Sequence, residues 1–156
     1  MEKISAPAAL GCTCFQIRKL ARTVTRLYDR HLAQAGLTTV QFSLLQNIGR
    51  APLPLSELAA RMSTERTTLT RNLRQLVEAG WVEMLPGSDS RQKIPQLTAA
   101  GRAQAKAARA AWRAAQDELE RTLGMDTVGL LHAQLAHALS RLTPLLEETS
   151  HANAAE

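Results

Sequence analysis

Aromatic residues, cysteines and long hydrophobic runs are all scarce in this chain of 156 residues. Two Trp, two Phe and one Tyr are too few for a surface that stacks the bases of single-stranded nucleic acid. Two cysteines cannot form a disulfide framework and are expected to stay reduced. The apolar runs are only a few residues long, and the first ten residues lack a sustained apolar stretch. We therefore expect a cytoplasmic protein without a membrane span or signal peptide.

The signatures of enzymes and metal sites are also missing from the sequence. It contains no Gly-rich phosphate loop, no nucleophile elbow and no convincing acid–base pair. Cys12 and Cys14, together with the four histidines, do not have the paired spacing of a structural zinc site. We therefore predict a protein that is not an enzyme and that needs no metal or cofactor.

Positive charge is in excess, with 19 Lys and Arg against 14 Asp and Glu and a pI near 9.9. This excess favours a polyanionic partner. Net charge alone does not distinguish DNA from RNA or from an anionic lipid surface.

Apolar residues recur at helical spacing over most of the chain, which predicts a mainly α-helical fold with one small β-hairpin. Ser63 or Thr64 is expected to cap the fourth helix and Asp126 the last one, while Pro144 is expected to kink or stop that last helix. The predicted helices cover residues 13–34, about 39–48, 55–62, about 64–79, 99–123 and the stretch after 126, and the predicted strands cover 81–85 and 93–98.

The informative stretch runs from Leu55 to Thr98. A short helix, a tight turn, a second helix and a hairpin form the pattern of a winged helix-turn-helix, whose second helix lies in a DNA major groove. Between Arg61 and Arg74 there are four arginines and one acid. The alternative interpretation is a solvated basic helix face with no partner. The residues that we predict to contact DNA are Thr64, Arg66, Thr67, Thr68, Thr70, Arg71, Arg74, Asp89, Arg91 and Lys93.

Several motifs in and around this stretch resemble the MarR family of transcriptional regulators. They are Leu55-Ser-Glu-Leu-Ala-Ala-Arg-Met, Thr68-Leu-Thr-Arg-Asn-Leu, Gly80-Trp-Val-Glu, Asp89-Ser-Arg91 and Leu97-Thr-Ala-Ala-Gly101. The resemblance runs from about residue 10 to residue 147. It implies that Arg91 enters the minor groove and that Asp89 holds it in place. Members of the family often have two basic residues soon after the wing Asp, whereas here Ser90 and Gln92 flank Arg91.

The resemblance also implies a homodimer whose N- and C-terminal helices interlock and whose winged lobes bind a pseudo-palindromic operator. A leucine stripe on the last helix supports a dimer independently, because a single small winged domain leaves it uncovered. The alternative is packing within one chain. We predict loose ends at 1–9 and 150–156, a helical dimerisation region at 10–36 and 99–149, and a DNA-binding lobe at 37–98.

Two kinds of switch are compatible with the sequence. Cys12 and Cys14 begin the first helix, where a thiol one turn before Arg18 is expected to react as thiolate. Cys14 and Tyr28 resemble positions of the hydroperoxide-sensing branch of the family, although two tyrosines common in that branch fall on Arg18 and Thr39 here. The alternative is that both cysteines are small structural residues.

The competing switch is a small aromatic acid, which is a frequent effector in this family. Arg18 or Arg22 is expected to bind its carboxylate, and Phe15, Tyr28 and Phe42 are expected to line the apolar part of the pocket.

The sequence is also compatible with two functions of other classes. One is a peroxide-reacting enzyme that uses Cys14, and the other is a helical interaction module whose basic face binds an acidic protein. The leading hypothesis is a homodimeric repressor that binds double-stranded DNA.

Overall fold

The computed structural model describes residues 11–89 and 92–152 of the chain. The predicted fold class is confirmed, since helices predominate and one antiparallel hairpin follows the fourth helix. The elements are α1 (Thr13–Leu32), a 3₁₀ turn (Ala33–Ala35), α2 (Thr39–Arg50), α3 (Leu55–Arg61), α4 (Arg66–Glu78), β1 (Val82–Pro86), β2 (Lys93–Leu97), α5 (Ala99–Leu123) and α6 (Met125–Ala152).

The chain divides into two compact units, one up to residue 115 and one from residue 116 onward. The core of the first unit is built mainly from leucines of α2, α3 and α4, including Leu45, Leu58 and Leu76. Leu32 at the end of α1 and Ala108 of α5 belong to the same core. The segment 37–98, predicted as the DNA-binding lobe, therefore packs together with the flanking helices, and its boundaries stay a prediction.

A tight corner joins α1 to α2. Gly36 takes a left-handed conformation (φ 68°), which glycine adopts without steric cost. Thr38 then caps α2 in a capping box with Gln41. Asp29 of α1 accepts hydrogen bonds from the backbone N–H and the hydroxyl of Thr39, at 2.6 and 2.7 Å. This carboxylate fixes the start of α2 against α1.

The turn between α3 and α4 differs from its sequence prediction. The N-cap of α4 is Glu65, which makes no side-chain cap hydrogen bond, rather than Ser63 or Thr64. Ser63 instead takes a left-handed conformation (φ 47°), and Thr64 donates its backbone N–H to the carbonyl of Ala59. Ser63 and Thr64 form the tight turn between α3 and α4. Helix α4 therefore begins later in the chain than these two candidate cap residues predict.

The hairpin pairs Met84 with Pro95, and α5 follows it directly. Pro95 lies in a two-stranded sheet, where its missing N–H is tolerated. Thr98 donates its hydroxyl to the carbonyl of Gly80 at 2.7 Å and accepts the N–H of Gly101 at 3.0 Å. The Leu-Thr-x-x-Gly motif therefore joins the end of the hairpin, the start of α5 and the end of α4.

The second unit contains the last turns of α5 and the long helix α6, joined at Gly124 (φ 84°). Asp126 lies in the first turn of α6, which begins at Met125, so it is not the cap residue. Pro144 does not stop the helix, because α6 continues through it to Ala152, and a kink at Pro144 stays a prediction. The side chains of Leu130, Leu139 and Leu142 are more than half exposed. No helix in the described part of the chain is long and apolar enough to cross a membrane.

Candidate functional site

The outer face of α4 carries a row of polar and basic side chains. Its inner face buries Leu69, Leu73 and Leu76, so the helix can turn only the remaining positions outward. Thr67 and Arg71 are exposed on that outer face, four residues apart and therefore neighbours on the helix surface. Hydroxyl and guanidinium groups in this arrangement can reach phosphate oxygens and base edges together.

The first turn of α4 adds unpaired backbone donors to this face. Arg66 is its first residue, and the cap residue Glu65 makes no side-chain hydrogen bond. The leading N–H groups of a helix have no partner within the helix, and they attract phosphate. Thr70 donates its hydroxyl to the carbonyl of Arg66 at 2.8 Å, which leaves its oxygen available as an acceptor. Thr64 and Thr68 are half-buried, so they offer less surface than their neighbours.

Arg74 already has an anionic partner on the same helix. Its Nε donates to Glu78 at 2.7 Å, with both side chains well exposed. This hydrogen bond and the charge of Glu78 raise the pKa of Arg74. Because both groups are solvated, the pair is weak, and a phosphate can compete for the guanidinium.

The hairpin places two further predicted contacts in solvent. Asp89 and Lys93 are both exposed, and the carbonyl of Asp89 accepts the N–H of Gln92 at 2.9 Å. Arg91, the predicted minor-groove residue, lies outside the described residues. The structure therefore describes the wing up to Asp89 and from Gln92 onward. The DNA contacts of the wing stay predictions.

A separate cavity of about 600 Å³ lies among α1, α2 and α5. Phe42 and Trp112 stack across it with their ring centres 6.4 Å apart and their planes inclined by 22°. Arg109 and Arg113 of α5 also line the cavity. The remaining lining residues are Val24, Thr25, Tyr28, Thr39, Ser43, Gln46 and Asn47. An apolar, aromatic wall beside two guanidinium groups is typical of a site for a small aromatic anion.

The structure brings together only part of the predicted effector site. Tyr28 and Phe42 line the cavity, whereas Phe15, Arg18 and Arg22 are exposed on α1 and do not line it. The cations at the cavity are supplied by Arg109 and Arg113 instead. Their helix begins 49 residues after the end of α2, and an alanine-rich helix with regularly spaced arginines gives no local sign of a pocket. Trp112 was the one available signal, because it is the single aromatic residue of α5.

The two thiols lie far from this cavity along α1. Cys12 is the N-cap of the helix, Cys14 is in its first turn, and both are exposed free cysteines. Fourteen residues separate Cys14 from Tyr28 within the same helix, which corresponds to about 21 Å of rise. The two side chains therefore cannot touch within one chain. Among the described residues, no group of three His, Cys, Asp or Glu could hold a metal ion.

Comparisons with known proteins show that this chain is similar to transcriptional regulators. The model of the MarR family matches residues 35–92. The chain is 41% identical to the M. tuberculosis transcriptional regulator MosR, solved in complex with DNA, over 85% of this chain and 98% of that one, with a TM-score of 0.74. It is 31% identical to a cysteine-to-serine mutant of E. coli MarR complexed with operator DNA, over 81% of this chain and 92% of that one, also with a TM-score of 0.74.

A further relative is the Bacillus subtilis HTH-type transcriptional regulator YwoH, whose function is uncharacterised. It is 34% identical over 86 residues, which cover 53% of this chain and 61% of that relative. The matched stretch thus spans about three-fifths of that relative's length.

Proposed function

The chain belongs to the MarR family of DNA-binding transcriptional regulators, and we propose that it is a homodimeric repressor of transcription. The proposed repressor binds a pseudo-palindromic operator. The observation that carries it is the outer face of α4, where Thr67 and Arg71 are exposed opposite the buried leucines. Two similar regulators, MosR and MarR, were solved with DNA, in the second case with operator DNA.

In the proposed complex, α4 lies in the major groove and the hairpin reaches the neighbouring minor groove. Arg71 binds a guanine edge or a phosphate, and the hydroxyl of Thr67 binds a phosphate or a base edge. Lys93, with Arg91 as the sequence resemblance implies, supplies charge at the wing. Each Lys or Arg side chain that displaces counterions from a phosphate adds to the affinity for DNA. This contribution falls as the salt concentration rises.

The proposed dimer uses the segments 10–36 and 99–149. Large apolar side chains are exposed on α1, such as Phe15 and Ile17, and on α6, such as Leu139 and Leu142. Exposed apolar area of this extent marks an interface. A twofold dimer presents two copies of α4, and successive half-sites on one face of DNA are about 34 Å apart.

Fluorescence anisotropy with two duplexes of equal length and base composition tests the operator proposal. One duplex carries the region upstream of the chain's own gene, and the other is a shuffled version of it. We expect the first to bind at least about a thousandfold more tightly at the same salt concentration. Equal affinity for both duplexes would exclude operator recognition and favour a general basic interaction surface.

We further propose that a small aromatic carboxylate in the 600 Å³ cavity releases the DNA. Phe42 and Trp112 contact its ring, and Arg109 or Arg113 forms a bidentate pair with its carboxylate. The cavity is lined by helices on both sides of the predicted lobe boundary. A ligand there can change DNA affinity because it binds one arrangement of these helices more tightly than another.

Calorimetry with benzoate and with benzyl alcohol, which lacks the charge, tests this assignment. Benzoate should bind more tightly than the alcohol, and Arg109→Gln or Arg113→Gln should weaken benzoate about tenfold. Arg18→Gln is the matched control on α1 and should change nothing. If only Arg18→Gln weakens benzoate binding, the carboxylate is bound by an arginine of α1, as the sequence predicts, and not by Arg109 or Arg113.

The second candidate switch is oxidation of Cys14, and the exposure of both thiols at the start of α1 favours it. An accessible thiolate reduces a hydroperoxide to an alcohol and becomes a sulfenic acid. Mass spectrometry after one equivalent of peroxide should show one oxidised Cys14 per chain. In the presence of a thiol reductant, the protein should not consume further peroxide catalytically. An unmodified Cys14, or loss of DNA binding that persists in Cys14→Ser, would exclude this switch.

A further inference from the structure

A second groove in the first unit is lined by cations and by no carboxylate. It lies between α2, β2 and the first half of α5 and has a volume of about 330 Å³. Arg50 at the end of α2 and Arg102, Lys106 and Arg109 on α5 line it, and all four are exposed. Four positive charges therefore surround one concave surface large enough for a small molecule.

The sequence leaves this charge uncompensated. Arg102, Lys106 and Arg109 follow one another at spacings of four and three residues, so they lie along one face of α5. No Asp or Glu occurs between residues 99 and 115, and like charges at this spacing destabilise a helix. Within the described residues, none of these cations forms a salt bridge. The Nη1 of Arg102 instead donates to the carbonyl of Leu97 at 2.7 Å, which holds its guanidinium at the groove.

One residue that lines the same groove carries a buried donor without a partner among the described residues. The Nε2 atom of Gln46 is buried and has no acceptor among the described residues, and Gln46 lines the groove beside Arg109. A buried amide that makes no hydrogen bond costs free energy. An oxygen-rich ligand in the groove would neutralise the cations, and a rotation of the Gln46 side chain toward it would give this amide an acceptor.

The groove is separate from the face that we assign to DNA. Gln41 of α2 bonds to Gln75 of α4 at 3.3 Å, and Leu44 lines a small cavity with Leu69 of α4. Gln46 and Arg50 are turned from these positions by well over 90° around α2, toward α5. The groove and α4 thus lie on different sides of α2.

We propose that this groove binds a small molecule bearing two adjacent phosphate groups. Arginine forks and a lysine ammonium are the side chains that bind phosphate most strongly. A diphosphate presents enough oxygens for the exposed cations Arg50, Lys106 and Arg102 together. The site is distinct from the proposed aromatic-acid cavity, although Gln46 and Arg109 line both.

Calorimetric titration of the full chain with pyrophosphate, at constant ionic strength and without DNA, tests the proposal. We expect saturable binding of one pyrophosphate per chain, with sulfate at least about tenfold weaker because it has one tetrahedral anionic group instead of two linked ones. Arg50→Gln and Lys106→Gln should each reduce the affinity about tenfold. Lys19→Gln removes an equal charge from the exposed surface of α1 and should have no effect.

Two outcomes would overturn the proposal. One is pyrophosphate binding that is equally weakened by Lys19→Gln and Lys106→Gln, since this would reflect net charge only. The other is no saturable pyrophosphate binding together with a flatter salt dependence of DNA binding in Lys106→Gln, which would make the groove a contact for the DNA backbone. Arg71→Ala should leave pyrophosphate binding unchanged, so that failure of the DNA assignment and failure of this one are distinguished.

Discussion

Gly101, the last residue of the Leu-Thr-x-x-Gly motif, lies where no side chain fits. A Cβ built on Gly101 would lie only 1.9 Å from the backbone carbonyl oxygen of Trp81. Backbone cannot move aside as a flexible side chain does, and the same carbonyl also accepts the N–H of Thr98 at 3.1 Å. The motif therefore encodes a close approach between α5 and the start of the hairpin, which positions the wing relative to α4.

We predict that Gly101→Ala lowers the free energy of unfolding by about 3 kcal/mol or more, because the added methyl group has no space. Urea unfolding at fixed protein concentration measures this change. Gly129→Ala is the matched control: Gly129 lies inside α6, and a Cβ there meets nothing within 4 Å. It should stabilise by about 0.5–1 kcal/mol through helix propensity. Equal effects of the two substitutions would contradict the packing assigned to Gly101.

Helix α2 lies between α4 and the proposed ligand sites, and the position of its first turn depends on one carboxylate. Asp29 accepts two short hydrogen bonds from Thr39 at the N-terminus of α2. A negative charge at a helix N-terminus is stabilised both by these bonds and by the helix dipole.

We predict that Asp29→Asn destabilises the protein by about 1–2 kcal/mol, because the charge and one strong acceptor are lost. Thermal or urea unfolding measures the loss. Asp117→Asn, at an exposed position within α5, should change stability by less than about 0.5 kcal/mol. If both variants unfold like the parent chain, Asp29 does not fix the α1–α2 corner.

Most helices and strands could be predicted from the sequence, because their local sequence signals and the tertiary packing favour the same structure. The bounds of α5 match the prediction of 99–123, and both strands fall within one residue of theirs. The start of α4 could not be predicted, because Ser63 and Thr64 are needed for the turn onto α3 rather than as caps. The continuation of α6 through Pro144 likewise departs from the local preference of proline.

The candidate sites were less predictable than the elements. Thr67 and Arg71 could be found by helix phase, since the buried leucines of α4 determine which positions face outward. Arg109 and Arg113 could not be assigned to the cavity, because they meet Tyr28 and Phe42 only through tertiary packing. Arg18 and Arg22 have the expected chemistry but are exposed on α1, outside the cavity lining.

We expect the proposed repressor to bind its operator as a homodimer. Leu142 on α6 is 56% exposed, as expected for a residue that a second copy covers. Two linked copies of α4 bind one operator far more tightly than single copies do, because the second contact becomes intramolecular.

We predict that Leu142→Glu converts the dimer to monomers at micromolar concentration, since it places a charge in an apolar interface. Size-exclusion chromatography with light scattering measures the mass. Ser140→Glu places the same charge on nearly the opposite side of α6 and should leave the dimer intact. A dimer that survives Leu142→Glu, or a parent chain that is already monomeric, would contradict the proposed interface.

We propose that the outer face of α4 binds duplex DNA, and the salt dependence of operator affinity is the decisive test. Arg71→Ala should weaken binding and flatten the slope of log affinity against log salt by about one per lost phosphate contact. Glu78→Gln should have the opposite effect, because it removes a negative charge from this face and releases Arg74 from its partner at 2.7 Å. Unchanged affinity and slope in both variants would show that α4 does not face the DNA.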